Sequence, residues 1–465
     1  MRIAMFALLS VSWTASGAFS DEPKWKFKDC NLVFVSFDAL QAAHVGCLGY
    51  GRNVTPTIDA MARVGSHFNR TYSVASWTVP ASMTWFTGVY PSEHRMTNKY
   101  VQFAPPRIKV ANLKEVAPNL RTLAQVLKSR GYATGGFTGN AGVSGGFGYE
   151  EGFDVYWHEK GKFGLLDQSV PKALAWLKDH SKEKFFLFLH GYDIHGQSVL
   201  PTGYDFRFVD KNYDKRFLGS EREQEVLREE GLANGKLTLR DEDVRFWRAI
   251  YDEKIQRADA KFKEFLGAFE KLGVADRTLF VLTSDHGTEL YEHRRIDHGF
   301  TLYSELTRVP LIMKLPQGGP LGIDIDQAVS SIDVMPTILD FLDVPIDSVL
   351  AKQLRGVSMA AAAKGERKVR DIISETDYRE YTYKRSILAP DGWKLICTLE
   401  SRSRELYDLS SDPGESKDLA KAESARADAL ERRLFQHYKN IGHDLTARRW
   451  EIGLNPVYPS QGTKK

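Results

Sequence analysis

The chain has 465 residues, and 42% of them are hydrophobic. This is enough to bury a large core, and it predicts one large domain with a smaller one. The 63 basic and 60 acidic residues leave a formal net charge of +3. Such a balance gives no strong electrostatic field, so we expect no nucleic-acid partner and no charge-driven binding to anionic membranes.

The N-terminus has the pattern of a secretory signal peptide. Arg2 supplies a positive charge, an apolar stretch follows over residues 4–18, and Ala18 and Ser20 form an A-x-S cleavage pattern. The apolar stretch is too short to span a bilayer. We therefore expect a signal peptide at residues 1–20, a mature chain without a transmembrane segment, and a secreted or periplasmic location. The alternative is a buried N-terminal segment.

Strands and helices alternate through the first 350 residues, which predicts an α/β sheet covered by helices on both faces. Four of the predicted strands are apolar runs, typical of parallel strands that are buried on both sides. In chain order the predicted elements are a strand at 31–37, helices at 57–64 and 120–128, strands at 132–137 and 184–189, a helix at 248–272, strands at 278–284 and 309–315, and a helix at 334–341.

The pattern changes near residue 350. Short strands with turns between them are predicted at 370–375, 386–390, 393–399 and 404–409, followed by a helix at 423–438. This order is typical of a small antiparallel sheet with one helix packed on it. We therefore predict a large α/β domain over residues 28–350, a small sheet-plus-helix subdomain over 351–450 and a polar tail over 451–465.

Acidic and imidazole side chains follow three of the predicted strands. The carboxyl ends of parallel strands meet at one edge of a sheet, where functional groups collect. Together these side chains form a plausible oxygen and nitrogen site for a divalent cation, although a single Asp at a strand end is often only a helix cap. The residues are Asp38, His190 with Asp193 and His195, and Asp285 with His286.

Five blocks, spread over residues 31–419, resemble the sulfatase branch of the alkaline-phosphatase superfamily and follow the order of that family. The blocks are FDALQAAHVGCLGYGRNVTPTIDAMARVGSHFNRTYSVASWTVPASMTWFTGVYPSEH, FLHGYDIHG, SDHGTELYEHRRIDHGFTLYSELTRVPLI, VSSIDVMPTILDFLDVP and RELYDLSSDPGESKDLA. The resemblance implies an alkaline-phosphatase-like fold: a large, mostly parallel sheet sandwiched by helices, with a smaller C-terminal antiparallel sheet subdomain.

The resemblance also implies one divalent metal ion. By position, Asp38, Asp285 and His286 would be ligands, and Thr78 would be the nucleophile that also contacts the metal. Calcium is common in the family but prefers six to eight oxygen ligands, whereas an imidazole ligand favours zinc or manganese. The metal is therefore expected to be Ca, Zn or Mn.

The nucleophile motif departs from the family pattern. Sulfatases usually have C-x-P-S-R or S-x-P-S-R, whose Cys or Ser is oxidised to formylglycine, but this chain has Thr78-Val79-Pro80-Ala81-Ser82. Threonine is not a substrate for that conversion because its β-carbon carries a methyl group. A threonine hydroxyl can still act as a nucleophile. The alternative for Thr78 is a helix N-cap.

Other family positions are occupied differently in this chain. Ala39 stands where many sulfatases have a second acid, and Asn140 lies near a family Lys that contacts the anion. His195 in the DIHG motif and His298 in the DHG motif match positions that bind substrate and assist the leaving group. His190 and Asp193 are predicted to orient other groups. Residues 197–235 are predicted to be a family-variable insertion that forms either a lid or a solvated loop.

The sequence thus predicts a metal-dependent hydrolase of sulfate or phosphate esters. The catalytic residues would be Thr78, His195 and His298, and the substrate-binding residues Asn140, His195 and His298. The substrate would be a carbohydrate sulfate, a phosphodiester or a phosphonate, and the threonine favours the last two. The alternatives are a catalytically inactive protein that binds anionic glycans and a transferase of phospho-headgroups.

Overall fold

The computed structural model describes residues 24–104, 107–160, 163–201, 204–366, 369–447 and 450. The predicted signal peptide at 1–20 and the predicted tail at 451–465 lie outside the described residues. Within the described ranges, no helix has both the length and the apolar character needed to cross a membrane.

A central eight-stranded sheet forms the frame of the molecule. The five strands from Thr278–Ser284 to the Val155–His158 edge pair in parallel, whereas Leu311–Lys314 pairs antiparallel with both of its neighbours. The prediction of a large, mostly parallel sheet is confirmed. In sheet order the strands are Ile323–Ile325, Ser66–Phe68, Leu311–Lys314, Thr278–Ser284, Asn31–Phe37, Phe185–Gly191, Ala133–Thr138 and Val155–His158.

Helices cover both faces of this sheet. Side chains alternate along a strand, so Leu32 and Phe34 enter the core on one face while Val33 and Val35 enter the core on the other. The helices of the first face are Thr78–Thr87, Leu123–Lys128 and Val334–Phe341; those of the second are Pro56–Val64, Leu166–His180 and Asp241–Glu270.

Shorter elements connect this frame. The further α-helices are Pro91–His94, Leu113–Val116, Glu221–Asn234, Ser304–Thr307, Ser348–Gln353 and Ala360–Ala363. One small sheet contains Arg308–Val309, Thr71–Tyr72 and Val329–Ser330, and two hairpins pair Glu289–Leu290 with Ile296–Asp297 and Tyr100–Ala104 with Arg107–Val110. Short 3-10 turns occupy Ala42–His44, Gly46–Leu48, Ala275–Arg277, Ser331–Asp333 and Tyr378–Glu380.

The C-terminal part forms a four-stranded antiparallel sheet, which confirms the predicted small sheet. Its strands, in order, are Ile372–Thr376, Lys384–Leu388, Trp393–Thr398 and Ser403–Asp408, and the helix Ser424–Asn440 packs on them. The core between them also includes Val74, Ala75 and Ala81 from the large part. The small sheet therefore supports the helix Thr78–Thr87 from behind, and the exact domain boundaries stay a prediction.

Candidate active site

Three neighbouring parallel strands bring the predicted acids and imidazoles together. Asp38 follows Asn31–Phe37, Asp285 follows Thr278–Ser284, and His190 lies at the end of Phe185–Gly191. The register pairs Ser36 with His190 and Phe37 with Ser284, so all three strands end at the same level. The three functional side chains are fully buried at this edge.

Thr78 is the first residue of the helix Thr78–Thr87, and its hydroxyl faces these strand ends. Its Oγ1 lies 3.2 Å from Asp38 Oδ2 and 3.3 Å from His286 Nε2. The N-cap of the helix is Trp77, so the N-cap role considered for Thr78 is wrong. A helix N-terminus favours an anionic group, and Thr78 stands at this one.

Asp38, His190 and Asp285 form a candidate metal site. Their ligand atoms all lie within 4.8 Å of one another. Asp38 Oδ1, His190 Nε2 and Asp285 Oδ2 are buried and have no hydrogen-bond partner among the described residues. Buried polar atoms are rarely left unpaired, so three that face one another fit a bound cation. His286 Nε2, 3.4 Å from Asp285 Oδ2, can add a fourth donor.

This donor set suits a transition metal better than calcium. Two carboxylates with two imidazoles match zinc or manganese, whereas calcium takes six to eight oxygens. His190 was predicted only to orient other groups, but its Nε2 belongs to the candidate metal site and its Nδ1 bonds to Ser36 Oγ at 2.7 Å. Ala39 has no carboxylate to offer; its backbone N–H donates to Asp285 Oδ1 at 3.1 Å.

Burial shifts the protonation of these groups strongly. Burial, helped by the charge of Asp285, raises the pKa of Asp38 well above its usual range. Burial lowers the pKa of His190 to about 4 and also lowers the pKa of His286. Both imidazoles are therefore neutral near pH 7, which is the form that binds a metal or accepts a proton.

His195 and His298 close the site on the side opposite the strands. The His298 ring stacks on His286 with centroids 4.4 Å apart and meets the His195 ring edge-on at 5.1 Å. Burial, helped by His298, lowers the pKa of His195 well below its usual value. The backbone N–H of Gln197 faces His195 Nδ1 at 3.3 Å, which leaves Nε2 to carry the proton. The structure brings both histidines to the site, and their contacts with substrate stay a prediction.

Asp297 fixes His298 and was not singled out from the sequence. His298 Nδ1 makes a short hydrogen bond to Asp297 Oδ1, and Gln197 Nε2 donates to Asp297 Oδ2 at 2.8 Å. Burial alone would raise the pKa of Asp297, but His298 and Arg228 hold that pKa well below its usual range. The carboxylate therefore stays ionised beside the imidazole. Its place directly before His298 in the DHG motif was the available signal.

Buried side chains hold the DIHG loop. Lys254 Nζ donates to the backbone oxygens of His195 at 3.1 Å and Gly196 at 2.9 Å. Asp193 accepts from the Leu166 N–H at 2.8 Å and from Arg257 Nη1 at 3.0 Å. The orienting role predicted for Asp193 fits these contacts, because the loop carries His195.

Asn140 lies apart from this cluster. The residue is exposed, and its side-chain amide donates to the backbone oxygen of Lys160 at 3.3 Å. Among the described residues, no hydrogen bond joins Asn140 to the candidate metal site or to the two histidines of the opposite side. The substrate-binding role of Asn140 stays a prediction.

Comparison with known families decides the relationship. The family model described as Sulfatase matches residues 30–344, and the model of the N-sulphoglucosamine sulphohydrolase C-terminal region matches residues 291–441. The chain belongs to the sulfatase family. The family prediction made from the five sequence blocks is therefore confirmed, and the comparisons support a sulfatase-like ester hydrolase.

Individual relatives are distant. The chain is 22% identical to the Delta 4,5-hexuronate-2-O-sulfatase of Bacteroides thetaiotaomicron, over 84% of each protein. It is 30% identical to bovine arylsulfatase K, but that match covers 40% of this chain and only 35% of the relative. The chain thus matches about a third of the length of arylsulfatase K.

Solved structures share the fold. A 2-O GAG sulfatase aligns with a TM-score of 0.69 at 20% identity, covering 89% of this chain and 92% of that one. A phosphonate monoester hydrolase of Agrobacterium radiobacter aligns with a TM-score of 0.68 at 19% identity, covering 88% and 96%. The predicted alkaline-phosphatase-like fold is confirmed.

Proposed function

We propose that this protein hydrolyses sulfate or phosphate esters and that Thr78 is its nucleophile. One observation carries the proposal. The Thr78 hydroxyl lies 3.2 Å from Asp38 Oδ2 and 3.3 Å from His286 Nε2, at a helix N-terminus beside the candidate metal site. A hydroxyl with a proton acceptor and a candidate metal ligand in reach, in a position that favours negative charge, is arranged for nucleophilic attack.

The residues of the site account for each step. The Thr78 proton passes to Asp38 Oδ2, which accepts its hydrogen bond, while Oγ1 bonds to sulfur or phosphorus and the bond to the leaving oxygen breaks. His298, held by Asp297, donates a proton to the leaving oxygen, and His195 Nε2–H donates to a non-bridging oxygen. Water then releases the sulfuryl or phosphoryl group from Thr78.

A divalent metal held by Asp38, His190, Asp285 and His286 would supply Lewis-acid stabilisation of negative charge on the ester oxygens. Thr78 would contact the same ion, because its hydroxyl lies beside two of those residues. The two imidazole nitrogens of His190 and His286 favour zinc or manganese over calcium.

The substrate class follows from the relatives and the nucleophile together. Relatives that match most of the chain are described as a hexuronate-2-O-sulfatase and an N-acetylglucosamine-6-O-sulfatase. A threonine in place of the formylglycine precursor favours phosphodiesters and phosphonates. The proposed substrates are therefore carbohydrate sulfates, phosphodiesters and phosphonates. The signal-peptide pattern of residues 1–20 supports an extracytoplasmic location, secreted or periplasmic.

The proposal is tested with paired aryl esters: a sulfate, a phosphate monoester and a phosphodiester. Metal-loaded wild-type protein is compared with Thr78→Ala and Asp285→Ala, and with Thr446→Ala, an exposed threonine far along the chain, as a matched control. We expect hydrolysis of one ester class, lost in both site variants and kept in the control. Equal hydrolysis by wild type and Thr78→Ala would refute the nucleophile.

The second candidate is a protein that binds anionic glycans without turnover. It is favoured by Ala39, which stands where many sulfatases have a second acid. Binding of glycans with no hydrolysis of any ester under any metal would support it. A phospho-headgroup transferase shares the site and differs only in the acceptor alcohol that resolves the Thr78 ester.

A further inference from the structure

Two arginines from distant parts of the chain meet beside the His298 side of the site and have no role in the proposed chemistry. Arg228 lies on the helix Glu221–Asn234, inside the predicted insertion, and Arg379 lies in the turn Tyr378–Glu380 of the C-terminal part. Both approach Glu229 Oε1, at 3.2 Å from Arg228 Nη2 and 3.5 Å from Arg379 Nη1. Their side chains are only 13% and 14% exposed.

Direct contacts join this pair to the catalytic groups. Arg228 Nη1 lies 3.5 Å from Asp297 Oδ2, the carboxylate that fixes His298. The Arg379 guanidinium lies 5.1 Å from the Tyr378 ring centre, and that ring lies 6.4 Å from His298. Tyr378 also packs edge-on against Trp77, the residue before Thr78, at 5.4 Å. A continuous wall therefore runs from the nucleophile to the two arginines.

The binding groups of this wall are the two arginines. Trp77 and Tyr378 are each only 4% exposed, so their rings support the wall from within. Largely buried guanidinium groups bind carboxylate or sulfate oxygens in pairs, and they do so more strongly than exposed ones. Glu229, which both arginines share, is 51% exposed, so an incoming anion can compete for them.

A third cation, Lys99, interacts electrostatically with both arginines and with Asp38. Lys99 is half-buried, and its charge is felt by Asp38. Burial, helped by Arg379 and Arg228 and opposed by Asp38, lowers the pKa of Lys99 to about 8. Three cations close enough to repel one another favour the binding of an anion.

We propose that Arg228 and Arg379 form a subsite for a second anionic group of the substrate, next to the ester that is hydrolysed. The inference rests on the proposed function and narrows it to esters that carry a second anionic group, such as the uronate carboxylate or second sulfate of a carbohydrate sulfate. The insertion helix and the C-terminal part thus select the substrate, while the strand ends perform the chemistry.

The test measures binding without turnover, by titration calorimetry on metal-loaded, full-length Thr78→Ala protein. Two matched ligand pairs separate the sources of the anion: a sulfated disaccharide with a free uronate against its methyl ester, and a disulfated against a monosulfated neutral disaccharide. We expect the more charged member of one pair to bind roughly 10-fold more tightly or better, as charge-assisted hydrogen bonds require.

The arginine variants are made in the same background. Arg379→Gln and the double variant with Arg228→Gln should remove most of this preference, and Arg379→Lys should give an intermediate value because it keeps the charge but loses the planar fork. Arg245→Gln, an exposed arginine on the neighbouring helix Asp241–Glu270, should leave the preference unchanged. Melting temperatures check that each variant is folded.

The two proposals fail separately. Equal affinities within both pairs, or a preference that survives in the folded double variant, would overturn the subsite even if wild-type protein hydrolyses esters. A preference that depends on the arginines, in a protein that hydrolyses no ester, would keep the subsite and overturn the catalytic proposal.

Discussion

At the scale of single residues, His190 supplies the donor that Ala39 cannot. Its Nε2 is buried and unpaired among the described groups of the site, and Ser36 Oγ holds the other ring nitrogen at 2.7 Å. We predict that His190→Ala lowers zinc or manganese affinity at least about 10-fold, the low end of the effect of removing supporting groups around a metal. Metal content after dialysis measures this directly.

The control for His190 is His180→Ala, because His180 is a partly exposed histidine that pairs with Glu183 on the surface. It should bind metal like wild type. Unchanged metal affinity in His190→Ala would mean that only Asp38, Asp285 and His286 hold the ion.

Much of the site follows from the sequence, because the strand ends and the family motifs locate Asp38, Thr78, Asp285 and His286. The direction of His190 could not be read from the sequence. Whether a histidine at a strand end faces the site or the core depends on the register of the neighbouring strands, and only the pairing of Ser36 with His190 settles it. Arg379 was missed for a similar reason, since no local pattern shows that its turn reaches the site.

At the scale of secondary-structure elements, Gly287 is the tightest point of the loop that carries Asp285 and His286. A Cβ at this position would lie 1.9 Å from the backbone oxygen of Glu305, while the Gly287 N–H donates to Leu306 O at 2.8 Å. We predict that Gly287→Ala lowers the free energy of unfolding by about 1–3 kcal/mol, the usual cost of overpacking, and impairs hydrolysis. Denaturant unfolding and ester hydrolysis measure the two effects.

Gly267→Ala is the matched control, because Gly267 lies in the helix Asp241–Glu270 and a Cβ there meets no atom within 4 Å. It should raise the free energy of unfolding by about 0.5–1 kcal/mol through the better helix propensity of alanine. Equal stability of the two variants would contradict the close approach at Gly287.

His94 makes the support of the helix Thr78–Thr87 sensitive to acid. Its Nε2 lies 3.2 Å from the backbone oxygen of Pro80, its Nδ1 accepts from the Met96 N–H at 3.1 Å, and burial lowers its pKa from 6.5 to about 3. Below pH 6.5 the His94 side chain is protonated in the unfolded chain but stays neutral in the folded chain. His94 should therefore lower the free energy of unfolding by up to about 1.4 kcal/mol per pH unit as the pH falls from about 6.5 toward 3.

Denaturant unfolding of metal-free protein at a series of pH values tests this. His94→Gln should lose less stability than wild type between about pH 6 and 4, because the titrating group is gone. His180→Gln, on the surface, should follow wild type. If the free energy of unfolding of His94→Gln falls with pH as steeply as that of wild type, other groups govern the acid sensitivity.

The elements with strong apolar patterns were predicted almost to the residue. The strands Asn31–Phe37 and Thr278–Ser284 and the helix Val334–Phe341 have the predicted bounds. The edge strand Val155–His158 was missed because it is short and partly exposed. The helix Leu166–His180 was missed because it contains Pro171, and a proline normally argues against a helix interior. The helix Glu221–Asn234 was missed because its composition is dominated by charge.

At the scale of the whole molecule, the candidate metal site should couple metal binding to stability. Its unpaired buried groups are costly without a cation, and a core shared by the small sheet and Val74, Ala75 and Ala81 ties both parts together. We predict a single thermal transition whose midpoint temperature rises when zinc or manganese is added. At a free metal concentration of roughly 100 times the dissociation constant, the free energy of unfolding should increase by about 2.7 kcal/mol.

Scanning calorimetry with and without a chelator measures this shift. Asp285→Asn should lose the metal-dependent increase in stability. Asp371→Asn should keep it, because Asp371 is a surface acid paired with Arg433. Two separate transitions, or a chelator effect that persists in Asp285→Asn, would contradict the coupling.

The central claim is that Thr78 becomes covalently bound to the group it removes from the ester. Rapid-quench mass spectrometry of metal-loaded protein, mixed with the aryl ester that it hydrolyses, tests this most directly. We predict one added sulfuryl or phosphoryl group, localised to Thr78 by peptide mapping and absent from Thr78→Ala. An adduct on another residue, or full hydrolysis by Thr78→Ala, would contradict the account.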